Sequence, residues 1–170
     1  MEDVQIRLME EGDAEVLPAA FERGGSHKPA ATFRRYLADA GVGTRTCLVA
    51  MTDGEPAGYV TLNRAPTYPG SAEAKIPEIQ DLNVLPRFRR RGIASRLLDQ
   101  AEAHAALISD FVGIGVGLHP GYNAAQRLYA KRGYIPDGRG VTYRDSYVDE
   151  GAQVVLDDDL VLHLTKRVRT

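Results

Sequence analysis

The chain has 170 residues, 44% of them apolar and 26% charged, a composition that fits one packed domain able to bury roughly 70% of its unfolded surface and excludes a disordered tail. With 21 basic against 23 acidic residues the net charge is −2, so no overall basic field argues for nucleic acid or a membrane surface as partner. The single cysteine, Cys47, rules out disulfides and a cysteine-rich metal site, and its neighbours Leu48, Val49 and Ala50 mark it as a buried thiol. Met1 to Val4 lack the basic start and apolar stretch of a signal peptide, and no run of about 18 apolar residues occurs, so a cytoplasmic protein is expected.

Val4, Ile6 and Leu8 alternate with polar residues as in a strand, and Gly12-Asp13 opens a helix through Leu17, Ala20 and Phe21. A second helix begins near Pro29, carries Phe33, Tyr36 and Leu37 at helical spacing, and stops at Gly41 to Gly43. Two β-rich runs, 45–52 and 57–63, flank Asp53-Gly54-Glu55 as a hairpin. Residues 64–75 are rich in Pro, Gly, Ser and Ala and read as a loop, followed by a strand over about 77–84. Ile93, Leu97, Leu98, Ala101, Ala105 and Ile108 share one helix face, and 111–118 form a buried strand whose Gly113, Gly115 and Gly117 permit close approach. A short helix through Ala125, Leu128 and Tyr129 closes at Lys131-Arg132-Gly133. Two last strands, 153–156 and 160–164, are expected around a turn at Asp157 to Asp159. This order implies a single domain spanning 1–170, of α/β class, with a sheet of mixed direction and helices on both faces.

The chemistry concentrates in one unit: strand Ile79 to Val84, a turn at Pro86-Arg87-Phe88, then Arg89-Arg90-Arg91-Gly92-Ile93-Ala94-Ser95 entering an amphipathic helix. Amides at a helix start have no intrahelical acceptor and the macrodipole adds roughly half a positive charge there, so the unit suits phosphate. Gly92 and Ala94 remove bulk that would hold phosphate oxygens away, and the arginines add bidentate donors. A diphosphate coenzyme fits. Neither Gly-x-x-x-x-Gly-Lys-Ser/Thr nor Gly-x-Gly-x-x-Gly occurs. A solvated helix end or a nucleic-acid patch is the competing reading of the arginines.

Arg89-x-x-Gly92-x-Ala94, preceded by Leu82-Asn83-Val84-x-Pro86, resembles the coenzyme motif of the GNAT superfamily of N-acetyltransferases. Ala125-Gln126-Arg127-Leu128-Tyr129-Ala130-Lys131-Arg132-Gly133-Tyr134 is similar to that family's second motif. The resemblance covers 45–134 well and the remainder in element order only. It implies a mostly antiparallel sheet splayed between strands four and five, and acetyl-CoA as cosubstrate with no metal.

It further implies roles residue by residue. The backbone of Leu82, Asn83 and Val84 would hold the pantetheine arm, and the amides of Arg90, Arg91, Gly92, Ile93, Ala94 and Ser95 the pyrophosphate. Tyr129 would protonate the departing thiolate. Glu78, four residues before Leu82, is the first candidate for removing the acceptor's ammonium proton; Asp81 is the alternative, and water satisfies the chemistry too. Many members carry an asparagine where this chain has Tyr122, so Asn123 or Gln126 is expected to substitute.

The expected reaction is direct attack by the primary amine of a small molecule or protein on the thioester; no Gly-x-Ser-x-Gly elbow suggests a covalent step. A binding module that senses acyl-CoA without turnover is the alternative. Acceptor contacts are expected from the early helices, the 64–75 loop and the segment 139–147. His27, His104, His119 and His163 lack metal-ligand spacing. The acceptor's identity is not legible, and a homodimer stays open.

Overall fold

The computed structural model describes residues 3–170. Its elements run β1 (Val4–Leu8), α1 (Asp13–Arg23), α2 (Ala30–Gly41), β2 (Arg45–Thr52), β3 (Glu55–Asn63), α3 (Pro69–Ala74), β4 (Glu78–Val84), α4 (Ile93–Ala106), β5 (Phe111–Gly117), α5 (Asn123–Lys131), β6 (Ile135–Tyr143), β7 (Ser146–Tyr147) and β8 (Leu160–Arg167). Short 3₁₀ turns occupy Pro86–Phe88 and Pro120–Tyr122. This is the expected α/β class.

The elements gather in two units, one of residues up to Arg64 with Ile79–His104, the other of Ala65–Glu78 with Ala105–Thr170. In the first, β1 pairs with β2 and β2 with β3, both antiparallel, and the order continues to β4. Leu85 N donates to Ala57 O at 2.8 Å while Thr61 Oγ1 donates to Gln80 O at 3.1 Å, so positions fall along β3 as they rise along β4, an antiparallel pairing. The hairpin turn places Asp53 and Gly54 at φ +49° and +76°, as the Asp-Gly pair predicts. Leu17, Phe21, Phe33, Tyr59, Leu62 and Ile79 are almost fully buried in this unit, with the Phe33 and Tyr59 rings edge to face at 5.0 Å. Cys47 is buried too, and burial pushes its thiol up to about 12, as expected for an unreactive cysteine.

In the second unit the order is β5-β8-β6-β7, all antiparallel. Here three expectations are corrected. The 64–75 loop contains a helix, α3, with Pro69 in its first turn and Lys75 ending it in the left-handed conformation (φ +55°). Residues 153–156 form no strand: Val154, Val155 and Leu156 lie in irregular structure and are exposed. The strand beside β8 is β6, whose register shifts between Pro136 and Val141 around Gly138 and Gly140; residues that break local β patterning concealed it. The helix face through Ile93, Leu97, Leu98, Ala101 and Ala105 is buried, but α4 ends at Ala106 and Ile108 lies exposed beyond it.

Candidate active site

β4 leaves regular strand geometry at Asp81, whose φ of +54° is left-handed. A non-glycine residue is uncommon there and costs on the order of 1 kcal/mol or more, so its surroundings must hold it. Four donors do. Asp81 Oδ2 accepts from Tyr59 Oη at 2.6 Å and Tyr36 Oη at 3.0 Å, and Oδ1 from Asn83 Nδ2 at 2.7 Å and Lys28 Nζ at 3.1 Å. Burial, then the Asp81 charge, raises the Tyr36 and Tyr59 phenols far above their ordinary range, so both donate at any physiological pH. The distorted strand runs close to β3: a Cβ on Gly58 would meet Asn83 O at 2.5 Å, so only glycine fits.

Beyond Val84, Leu85 and Phe88 are buried and anchor the turn, with Phe88 N donating to Leu85 O at 2.9 Å. Arg89 Nε returns to Val84 O at 3.1 Å. Arg90 and Gly92 are left-handed, φ +60° and +76°, the kind of backbone from which concave runs of N–H groups are made. At the start of α4, Arg96 N donates to Gly92 O at 3.1 Å. Among the described residues, no heavy atom beyond Gly92 and its chain neighbours lies within 4 Å of where a Gly92 Cβ would stand. Gly92 thus leaves open space beside the start of α4, and Arg89, Arg90 and Arg91 are exposed. Leu82, Asn83, Val84, Ala94 and Ser95 are half-buried and Ile93 is buried.

Tyr129 lies on α5 in the second unit, only 6% exposed. Burial, with a smaller contribution from Tyr122, pushes its phenol up to about 12, so it holds its proton throughout the neutral range. Gly133 turns left-handed at φ +86°, and Tyr134 N closes the helix on Tyr129 O at 3.0 Å. The Lys-x-Gly-Tyr end of the motif therefore stops the helix that carries Tyr129. Gln126 Nε2 donates to Gly117 O at 2.9 Å, whereas exposed Asn123 uses Oδ1 to accept from Ala124 N at 2.6 Å.

Glu78, at the start of β4, is 4% exposed. Its Cγ and Ser71 Oγ each stand 3.2 Å from where a Gly113 Cβ would lie, so this glycine makes room for the glutamate.

Two segments expected to meet the acceptor come together in the second unit. Thr67 Oγ1 donates to Asp145 Oδ2 at 2.5 Å and Tyr68 Oη to Asp137 Oδ2 at 2.5 Å, and the Tyr68 and Tyr147 rings are 6.0 Å apart. Tyr68 also stacks on buried His163 at 3.5 Å. Burial lowers the His163 pKa, and its Nε2 lies 2.9 Å from Thr142 Oγ1. Sequence reasoning missed the gathering of Lys28, Tyr36 and Tyr59 on Asp81. Tyr36 and Tyr59 occupy inward positions of α2 and β3, where a tyrosine reads as core, and nothing local announces a shared carboxylate.

In the first unit an arginine-flanked turn with open space at Gly92 leads into α4, and in the second a buried phenol keeps its proton at neutral pH. The acetyltransferase (GNAT) family model matches residues 14–134, and the chain belongs to that family. Sequence comparison with curated proteins gave no match. Solved structures share the fold. Ribosomal-protein-alanine N-acetyltransferase from Brucella melitensis is 18% identical, with 96% of this chain and 99% of that one covered and a TM-score of 0.69. yncA from Salmonella typhimurium, solved with its cofactor acetyl-CoA, is 15% identical, with 97% and 94% covered and a TM-score of 0.69. A spermidine N-acetyltransferase chimera from Vibrio cholerae and hSSAT is 15% identical, with 97% and 95% covered and a TM-score of 0.68. Among the described residues no helix is long and apolar enough to cross a membrane.

Proposed function

We propose that the chain transfers the acetyl group of acetyl-CoA to a primary amine of a small molecule or protein, by direct attack within a ternary complex. The observation that carries this reading is the open face of Gly92 at the start of α4, beside exposed Arg89, Arg90 and Arg91. Amides from Arg90 to Ser95 bind the pyrophosphate. The backbone of Leu82, Asn83 and Val84, set by the left-handed turn at Asp81, receives the pantetheine arm. Asn123 fits the family's asparagine contact better than Gln126, which is engaged on Gly117.

Attack of the neutral amine forms the new C–N bond and breaks the C–S bond. Tyr129 gives its proton to the departing sulfur and is restored, through water, by the proton that the acylated nitrogen sheds; a phenol near 12 is an acid that remains loaded at neutral pH. Glu78 takes the proton that the ammonium must lose, directly or through water. Asp81, the alternative base, already accepts from four donors, which favours a holding role. That Thr67, Tyr68, Asp137, Asp145 and Tyr147 meet supports contacts to the acceptor from these segments.

The test is release of free thiol from acetyl-CoA against a panel of small amines, polyamines and peptides. Thiol release together with a product heavier by one acetyl group is expected for at least one amine. Coenzyme binding without release across the panel would instead favour the sensing module.

A further inference from the structure

One primary ammonium is already seated beside the proposed pantetheine backbone, and it belongs to the protein. The segment joining α1 to α2 brings Lys28 onto β4, with Nζ 3.1 Å from Asp81 Oδ1 and 6.0 Å from the centre of the Tyr59 ring. Asp81 is one residue from Leu82. The carboxylate that receives this ammonium is held from behind by Tyr36 and Tyr59, which are 7% and 0% exposed, and from the side by Asn83. Lys28 and Asp81 themselves keep 26% and 22% side-chain exposure. The arrangement is therefore a fixed wall with an accessible mouth.

Each part suits a primary ammonium. The carboxylate oxygen is a charge-assisted acceptor, the tyrosine face attracts a cation, and the buried hydroxyls prevent the carboxylate from reorganising as the cation comes and goes. Lys28 differs from the rest of the set. Asp81, Asn83 and Tyr59 stand on strands and Tyr36 on a helix, whereas Lys28 follows Gly24, Gly25 (φ +81°), Ser26 and His27 on a segment without regular structure. Lys28 lies on that irregular segment with its side chain 26% exposed, so it can leave Asp81 without breaking a helix or strand, while its tether keeps it a local competitor.

We propose that Asp81, with Tyr59 and Tyr36 around it, seats the primary ammonium of the acceptor, and that Lys28 fills this seat as an internal stand-in which the acceptor displaces. The proposal deepens the amine-acetyltransferase reading and rests on it. It makes Lys28 a determinant of acceptor affinity: the fraction of molecules with Lys28 in place lowers the apparent affinity for every amine by that fraction.

The test is equilibrium binding of butylammonium, by titration calorimetry on the full chain saturated with CoA, so that no turnover is involved. Lys28→Met keeps the apolar stem and removes the charge. It is expected to bind butylammonium about tenfold tighter than wild type, an effect that Lys28→Gln should reproduce. Adding Asp81→Asn to either variant should abolish the gain, and butyltrimethylammonium, which has no N–H to donate to the carboxylate, should gain less than butylammonium. Equal binding by wild type and both Lys28 variants overturns the proposal, as does a gain that survives Asp81→Asn in a variant whose melting temperature shows it folded. Thiol release, measured separately, distinguishes the two failures. Turnover with unchanged amine affinity in the Lys28 variants removes the seat but keeps the acetyltransferase, whereas tighter amine binding without turnover on any amine keeps the seat and removes the enzyme.

Discussion

Replacing Gly92 by valine separates backbone strain from loss of coenzyme. At φ +76° an L-residue costs roughly 1–2 kcal/mol, and among the described residues no heavy atom beyond Gly92 and its chain neighbours lies within 4 Å to clash with the new Cβ. For a chain of this size each kcal/mol lowers Tm by about 2–4 °C, so the free variant should melt about 2–8 °C below wild type. CoA at a hundred times its Kd should stabilise the wild type by about 2.7 kcal/mol, or roughly 5–11 °C. If the valine stands where phosphate oxygens approach and weakens binding a hundredfold, that gain falls to about 0.4 kcal/mol, near 1 °C. Gly92→Ala carries the same φ with less bulk and should lie between. Thermal melts with and without CoA, at one fixed concentration for all three proteins, measure both effects. A valine variant with lowered Tm but an undiminished CoA shift would refute the phosphate assignment while leaving the strain argument intact.

Tyr129→Phe keeps the buried ring and deletes the acid, so kcat should fall roughly 10²-fold with CoA affinity little changed; wild-type turnover, with chemistry shown to limit the rate, would remove Tyr129 from the mechanism. Glu78→Gln should lower kcat/KM most at neutral pH and recover as rising pH supplies free amine, moving the acidic limb of the profile upward; an unchanged profile would point to water. Stability should fall steeply in alkali. Cys47 and Tyr129 are raised from 9.0 and 10.0 to about 12 by burial, so the fold favours their neutral forms. That contribution is complete below about pH 9 and is lost as pH climbs towards 12, at about 1.4 kcal/mol per pH unit for each group; a Tm flat from pH 9 to 12 would contradict it.

The helices and strands of the first unit were legible because their periodicity is undisturbed, and the turn before α4 because glycine and proline mark it locally whatever the tertiary context. The exposed run Val154 to Leu156 shows the converse: apolar residues imply burial only when a partner exists, and β6, the partner β8 does have, is disguised by Pro136, Gly138 and Gly140. Pro69 and Gly70 likewise read as loop although proline suits the first turn of a helix such as α3. Asp81 was legible as a carboxylate on β4, but its left-handed backbone and its partners, drawn from positions 53, 45 and 22 residues away, are properties of the folded chain alone.

Acetyl transfer itself is tested most directly by following the label of acetyl-CoA carrying ¹³C in its carbonyl, with the enzyme and each amine of the panel. The account predicts that for at least one amine the thioester carbonyl resonance is replaced by an amide resonance, at a rate that depends on enzyme and on the concentrations of both substrates. Label that remains in the thioester with every amine, or that appears only as free acetate, would contradict it.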